Sequence, residues 1–207
     1  MEESVQALLR NQFQGELLDA IQKSAVVKEF APQTEILREG QFVKAVPLVI
    51  SGLVKVYTRF NDKELLLYYL QANESCIMSF SSGIRNEASK VFAITEEPTK
   101  LILLPVSSVL EWIKQFPTFN DLFYQFYNQR YYELLESIHQ LLFNKMDTRV
   151  LEFLKKRQEL ANSPYIKLSH SRIANELGTA REVISRVIKK LETEGVLSQT
   201  AEGIVVL

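Results

Sequence analysis

Residues 168–195 read LSHSRIANELGTAREVISRVIKKLETEG. Ser169 stands where a helix N-cap belongs, and Ile173, Ala174 and Leu177 follow at helical spacing. Gly178 supplies the left-handed turn that a short helix–helix connection needs. A second helix is predicted to bury Val183, Val187, Ile188 and Leu191. Small Ala174 before the glycine and apolar Val183 beyond it suit two helices that cross closely at a short turn. The segment therefore reads as a helix-turn-helix. The opposite face of the second helix carries Arg181, Glu182, Ser185, Arg186 and Lys189. At the N-terminal part of a helix in the DNA major groove, such side chains reach base edges. Arginine reads guanine in bidentate fashion, and glutamate accepts from the cytosine amino group. The competing reading is a solvated face laced with ion pairs.

Around this segment the tail forms a small α/β module. Residues 147–159 are predicted to be an amphipathic helix with Val150, Leu151, Phe153 and Leu154 apolar, ended by Asn162-Ser163-Pro164, and a hairpin closes the chain from about Gly195 to Leu207. From Lys145 onward there are 11 Lys/Arg against 8 Asp/Glu, a charge of +3; before it, 13 against 17 gives −4, within an overall −1. An acidic front and a mildly basic tail point to two modules with different partners, against the alternative of chance.

Upstream, a long helix is predicted to start at Pro117-Thr118 and to run without Pro or Gly past Asn144. Tyr124, Tyr127, Tyr131, Leu134, Ile138 and Leu141 alternate spacings of three and four, the geometry of a helix-pairing seam. Phe119, Phe123 and Phe126 make a second stripe on another face. Two apolar stripes call for two partners, one being the chain's own domain and the other a second subunit. The alternative is a single packed helix whose tyrosine hydroxyls reach water. Between Val26 and Leu104 come seven short apolar runs, VVKEF, EILREG, PLVISG, LVKVYTRF, ELLLYYL, VFAITE and KLILLP, separated by turn signals such as Ala31-Pro32 and Ser51-Gly52. That texture is an antiparallel barrel or sandwich of the jelly-roll kind. The opening stretch, Ser4 to Lys23, reads as one amphipathic helix through Val5, Leu8, Leu9, Phe13, Leu17, Leu18 and Ile21.

Composition removes several classes. In 207 residues, 46% hydrophobic and 24% charged, there is one cysteine, Cys76, and two histidines, His139 and His170. A disulfide framework, a four-thiolate iron–sulfur cluster and a CxxC redox site are excluded, and a histidine-rich metal site has too few ligands. No apolar run is long enough to span a membrane, and the amphipathic, acidic N-terminus does not read as a secretory signal. The expectation is a reduced, soluble, cytoplasmic protein.

The run LGTAREVISRVIKKLETEG resembles the helix-turn-helix of the Crp/Fnr family of bacterial transcription regulators, matching its LGxxRExxSRxLxxLExxG pattern. The resemblance extends along the chain, with Gly40, Gly52 and the Asn61-Asp62-Lys63-Glu64 hairpin as barrel landmarks. It implies an α+β fold in three parts. Residues 1–116 would be an effector-sensing antiparallel β jelly-roll barrel, similar to a cyclic-nucleotide-binding domain, with an N-terminal helix. Residues 117–144 would be the long dimerisation helix, and 145–207 a winged helix-turn-helix that binds DNA. The family's motif carries over base contacts to Glu182, Ser185 and Arg186, with Arg181 reading a base or a phosphate, on half-sites of TTGAT or TTGAC character. Ser169, His170 and Thr179 take positions that touch phosphate. A solvated surface histidine is the alternative for His170. The expected mode of action is a homodimer on palindromic double-stranded DNA, switched by a small-molecule effector through a hinge at Asn144 to Asp147, with RNA polymerase as a further partner.

The resemblance also says where an effector would sit. Cyclic-nucleotide members hold the ribose and phosphate with a Gly-Glu-Leu turn and an Arg-Ser/Thr-Ala run. Here the turn reads Asn73-Glu74-Ser75, and Glu87, Ala88 and Ser89 stand in place of the run. A carboxylate at the phosphate position repels the ligand, while Arg85 lies two residues away. Glu74, Ser75, Arg85, Glu87, Ala88 and Ser89 are thus the effector-pocket candidates, with cyclic AMP disfavoured. No iron–sulfur cluster is expected, Cys76 being read as a buried residue of a strand, and no haem, because the barrel has no histidine. His139 is placed near the seam of the long helix rather than on a metal.

Two other classes compete. A jelly-roll metalloenzyme needs several converging His and carboxylate ligands, and no His precedes Ile138; metal content discriminates it. A ligand-binding or cyclic-nucleotide-binding sensor without active DNA binding is opposed by Arg181, Glu182 and Arg186, and an Arg186→Ala variant discriminates it.

Overall fold

The computed structural model describes residues 3–60, 63–143 and 145–207, without the side chains at 3, 4, 63, 137 and 139–143. Asn61, Asp62 and Asn144, and the side chains of His139 and Leu141, therefore lie outside the described residues. The chain divides into two compact units, one of Met1–Thr58 with Leu67–Glu133, the other of Arg59–Leu66 with Leu134–Leu207.

Each of the seven apolar runs becomes a strand. They are β1 (Val26–Phe30), β2 (Glu35–Leu37), β3 (Ala45–Ser51), β4 (Val54–Phe60), β5 (Lys63–Leu70), β6 (Phe92–Thr95) and β7 (Thr99–Pro105). One sheet has the order β1-β7-β3 and the other β2-β6-β4-β5. Antiparallel pairing sets Val27 opposite Ile102, Leu48 opposite Ile102 and Val56 opposite Ala93. Residues of both sheets, among them Val46, Leu48, Val54, Val56, Leu101 and Leu104, are fully buried and form one core. Each such side chain contributes about 1.5–3 kcal/mol of burial. At the β3–β4 turn, Gly52 has φ +94°, and a Cβ there would meet Thr99 Oγ1 at 2.5 Å and the Pro98 carbonyl at 2.6 Å. The turn closes against β7 only with glycine.

The opening stretch is two helices rather than one, α1 (Glu3–Gln12) and α2 (Gly15–Ser24). Gly15 at φ +57° breaks the run, and Val5, Leu9, Leu17 and Ile21 from both halves still reach the core. Cys76 is buried, as expected, but not within a strand. It is the N-cap of α3 (Ile77–Arg85), where its Sγ accepts from the Ser79 amide at 3.4 Å. A helix absent from the sequence reading, α4 (Val106–Gln115), precedes the long α5 (Pro117–Phe143).

On α5 the two stripes separate. Phe119, Phe123 and Phe126 are buried, with the Phe123 ring stacked on Phe80 of α3 at 3.6 Å and Phe119 edge-on to Trp112 of α4 at 5.5 Å. Tyr124, Tyr127, Tyr131, Leu134 and Ile138 are exposed, Tyr124 by 67%. Arg130, on α5 but only 4% exposed, is fixed by two carboxylates: Glu74 at 2.9 Å and Glu133 at 2.7 Å. Its guanidinium also lies 4.6 Å over the Tyr68 ring. Burial by itself lowers the Arg130 pKa, but the two carboxylates outweigh it and leave the pKa raised. Burial, and then Cys76 with its Sγ 3.8 Å from the Tyr68 hydroxyl, push the Tyr68 phenol well up.

The C-terminal unit has its own core of Val150, Leu154, Ile166, Ile173, Ala174, Ile184, Ile188, Leu191, Leu197 and Ile204. It is built from α6 (Met146–Ala161), α7 (His170–Glu176), α8 (Arg181–Thr193) and the hairpin β8 (Leu197–Thr200) with β9 (Gly203–Val206). Among the described residues no helix is long and apolar enough to cross a membrane, and no group of His, Cys, Asp and Glu is placed to hold a metal ion.

Candidate nucleic-acid interface

The turn between α7 and α8 is built as the spacing requires. The Ser169 side chain accepts from the Arg172 amide at 3.2 Å and caps α7. At the other end Gly178 takes φ +65°, and the amides of Gly178 and Thr179 donate to the carbonyls of Asn175 and Ala174. Arg149 of α6 donates to the Leu177 carbonyl at 2.9 Å, satisfying a further orphan acceptor of the helix end. Burial lowers the Arg149 pKa. Glu176 is buried and is held by Arg172 at 3.2 Å, a pair that sequence reasoning missed although its i, i+4 spacing is visible in the sequence.

In α8 the buried stripe is Ile184, Ile188 and Leu191. Val183 and Val187 are only half-buried, which corrects the expected set by one position around the helix. Counting back four from Ile188, or seven from Leu191, gives Ile184, the position in line with both. The outward face is as read. Arg181, Glu182, Arg186 and Lys189 are exposed and Ser185 half-buried. None of those four charged side chains makes an ion pair or hydrogen bond with a described residue, so the alternative of a face laced with ion pairs is not what is seen.

His170 is engaged at both ring nitrogens. Nδ1 lies 3.0 Å from Ser185 Oγ of α8, and Nε2 lies 3.2 Å from Gln199 Oε1 of β8. Gln199 in turn donates through its amide nitrogen to Glu192 Oε2 at 3.1 Å, and its backbone N–H donates to Glu192 Oε1 at 2.9 Å. These two bonds lower the Glu192 pKa. The histidine thus ties the outward face of α8 to the hairpin. Thr179 is half-buried in the turn between α7 and α8. Lys190 and Asp147 join α8 to α6 at 2.5 Å, which lowers the Asp147 pKa and raises that of Lys190.

The effector-pocket candidates are each engaged within the barrel unit. Glu74 is taken up by Arg130, accepts from Gln129 at 2.8 Å and also accepts from the Gln71 amide at 2.8 Å. The Ser75 hydroxyl donates to the Pro47 carbonyl at 2.8 Å. Arg85 and Glu87 pair with each other at 2.9 Å in solvent. Ala88 bridges to Phe42, and the buried Ser89 hydroxyl donates to the Val91 carbonyl at 2.8 Å.

Comparison with known proteins agrees with this arrangement. The family model of the Crp-like helix-turn-helix domain matches residues 148–207. The chain is 24% identical over 190 residues to the global nitrogen regulator of Synechocystis, covering 87% of this chain and 84% of that protein. It is 27% identical over 163 residues to the cyclic AMP receptor protein of Thermus thermophilus, covering 78% and 74%. A transcriptional regulator of the Crp/Fnr family from Eubacterium rectale superposes with a TM-score of 0.84 at 24% identity, covering 96% of this chain and 93% of that one. Residues 148–207 therefore form a Crp-like helix-turn-helix domain, and the chain as a whole shares the fold of a Crp/Fnr regulator.

Proposed function

We propose that the chain acts in the cytoplasm as a homodimer that binds palindromic double-stranded DNA, placing α8 of each copy in successive major grooves. The observation that carries this reading is the outward face of α8. There Arg181, Glu182 and Arg186 stand unpaired among the described residues, above the buried stripe of Ile184, Ile188 and Leu191. Groups held ready for base edges have this character, because pairing within the protein would have to be broken before DNA could be read. Dimerisation is supported by the exposed tyrosine and leucine seam of α5, which has the spacing of a helix pair.

The proposal includes a small-molecule effector acting on the barrel unit, other than a cyclic nucleotide, and RNA polymerase as the downstream partner. One relative is named for cyclic AMP. In this chain Glu87, at the place of the phosphate-binding arginine, is paired with Arg85, and Glu74 of the turn is engaged by Arg130. A phosphate would have to displace one carboxylate and tolerate the others. A single cysteine and a barrel without histidine likewise favour a reading without iron–sulfur cluster or haem.

The test is selection of DNA from a randomised pool by the purified full-length protein, alone and with cell extract. Enrichment of a palindrome with TTGA in each half is expected, with selection lost in Arg186→Ala. Recovery of an unselected pool under both conditions overturns the reading.

A further inference from the structure

The barrel unit holds a cavity of about 330 Å³ that none of the effector-pocket candidates lines. Its size falls within the range of about 300–1,000 Å³ usual for small-molecule sites. Leu37, Leu70, Ala93 and Leu103 supply apolar wall. Lys28, Lys44, Gln41 and Glu35 border the cavity as well, and the carboxylate of Glu35 is engaged by Arg38 at 2.6 Å. Neither Lys28 nor Lys44 pairs with a carboxylate among the described residues; the Lys28 ammonium rests 5.1 Å over the Phe30 ring. Two uncompensated cations therefore stand beside the apolar wall of this chamber. That combination matches a ligand with an aliphatic body and an anionic head.

Buried Cys76 and Ser79, the cap and first turn of α3, also line the chamber. The Ser79 hydroxyl makes no hydrogen bond to a described residue. The same helix carries Phe80, stacked on Phe123 of α5 at 3.6 Å, and Cys76 lies beside Tyr68, on which Arg130 of α5 rests. A ligand that reaches Ser79 presses on both links to the long helix.

We propose that this cavity binds a medium-chain aliphatic carboxylate, with its tail against Leu37, Leu70 and Ala93 and its carboxylate between Lys28 and Lys44, and that occupancy moves α3 and, through it, α5. Binding stands on the cavity alone; only an effect on DNA affinity rests on the preceding proposal.

The experiment is calorimetric titration of the full-length protein with hexanoate, octanoate, decanoate and octan-1-ol. Affinity is expected to rise about fourfold per added methylene, the equivalent of about 0.8 kcal/mol. The double variant Lys28→Gln/Lys44→Gln is expected to lose at least tenfold for octanoate and nothing for octanol. Ala93→Phe, which fills the chamber, should abolish both. In parallel, octanoate should slow alkylation of Cys76 in the unmodified chain, a readout that stands even if Ala93→Phe does not fold. Binding of none of the probes, equal binding of octanoate and octanol, unchanged binding by a folded Ala93→Phe, or unprotected Cys76 would each overturn the proposal. A chain that selects no DNA but protects Cys76 refutes the DNA reading and leaves this one intact.

Discussion

Arg130→Met should loosen the attachment of the long helix to the barrel, and the size of the effect follows from the surroundings of the guanidinium. Arg130 is 4% exposed, and its carboxylate partners Glu74 and Glu133 are 18% and 28% exposed. Removing one member of a fully buried ion pair costs about 3–5 kcal/mol, because the abandoned charge stays desolvated. Here both carboxylates keep some water, and Glu74 also keeps bonds from Gln71 and Gln129. The lower end, about 3 kcal/mol, is therefore expected, equivalent to a fall of about 6–12 °C in Tm. Trp112, the only tryptophan, lies edge-on to Phe119 within the same unit, so thermal unfolding followed by its fluorescence reports the barrel. Glu74→Gln should cost less. The double variant should fall short of the sum by about 1 kcal/mol or more, since the two groups share one interaction. A Tm unchanged in Arg130→Met, or strict additivity with Glu74→Gln, would refute the argument that this pair holds the helix.

Other outcomes follow from single features. Ile184→Ala should destabilise the C-terminal unit by about 2–5 kcal/mol, measured by urea unfolding, and half-buried Val183→Ala should cost clearly less. Ser169→Ala removes the α7 cap and should cost about 1 kcal/mol, with faster hydrogen exchange at the Arg172 amide. Gly52→Ala, forced to φ +94° against Thr99 and Pro98, should cost more than about 1 kcal/mol in barrel unfolding. The Asp147 carboxyl is held below its ordinary value, chiefly by the bond from Lys190. Its contribution is therefore complete above the unfolded value of about 3.9 and is lost as pH falls through the lower folded value. An NMR titration of Asp147 should show that depressed midpoint, and Lys190→Ala should restore the ordinary one.

Much of this was legible from local pattern. The seven apolar runs became the seven barrel strands, because strand pairing and burial act on neighbouring residues of like period. The capped, glycine-turned helix pair was equally plain, since Ser169 and Gly178 meet backbone needs within a few residues. Local breaks were harder. Gly15 divides a run whose apolar face continues on both sides, so period alone joins α1 to α2. Cys76 reads as a buried strand residue until the helix behind it is seen. The site-building contacts were not legible at all. Glu74 and Arg130 are separated by more than 50 positions, and the cavity walls come from strands that meet only in the folded barrel. No periodicity in a single chain encodes those distances.

The histidine between α8 and the hairpin has a consequence for what Ser185 can offer. Gln199 donates its amide nitrogen to Glu192, which fixes its oxygen toward His170. An oxygen can only accept, so the neutral imidazole must carry its proton on Nε2 and keep a lone pair at Nδ1. That lone pair takes the proton of the Ser185 hydroxyl. A serine is ordinarily an ambidextrous group, turning to give or receive as its partner demands. Here its one hydrogen is already committed inward, and the oxygen faces outward as an acceptor alone. Glu192, three hydrogen bonds away through Gln199 and His170, thus sets the polarity of that hydroxyl. With this bonding pattern Ser185 selects for donors.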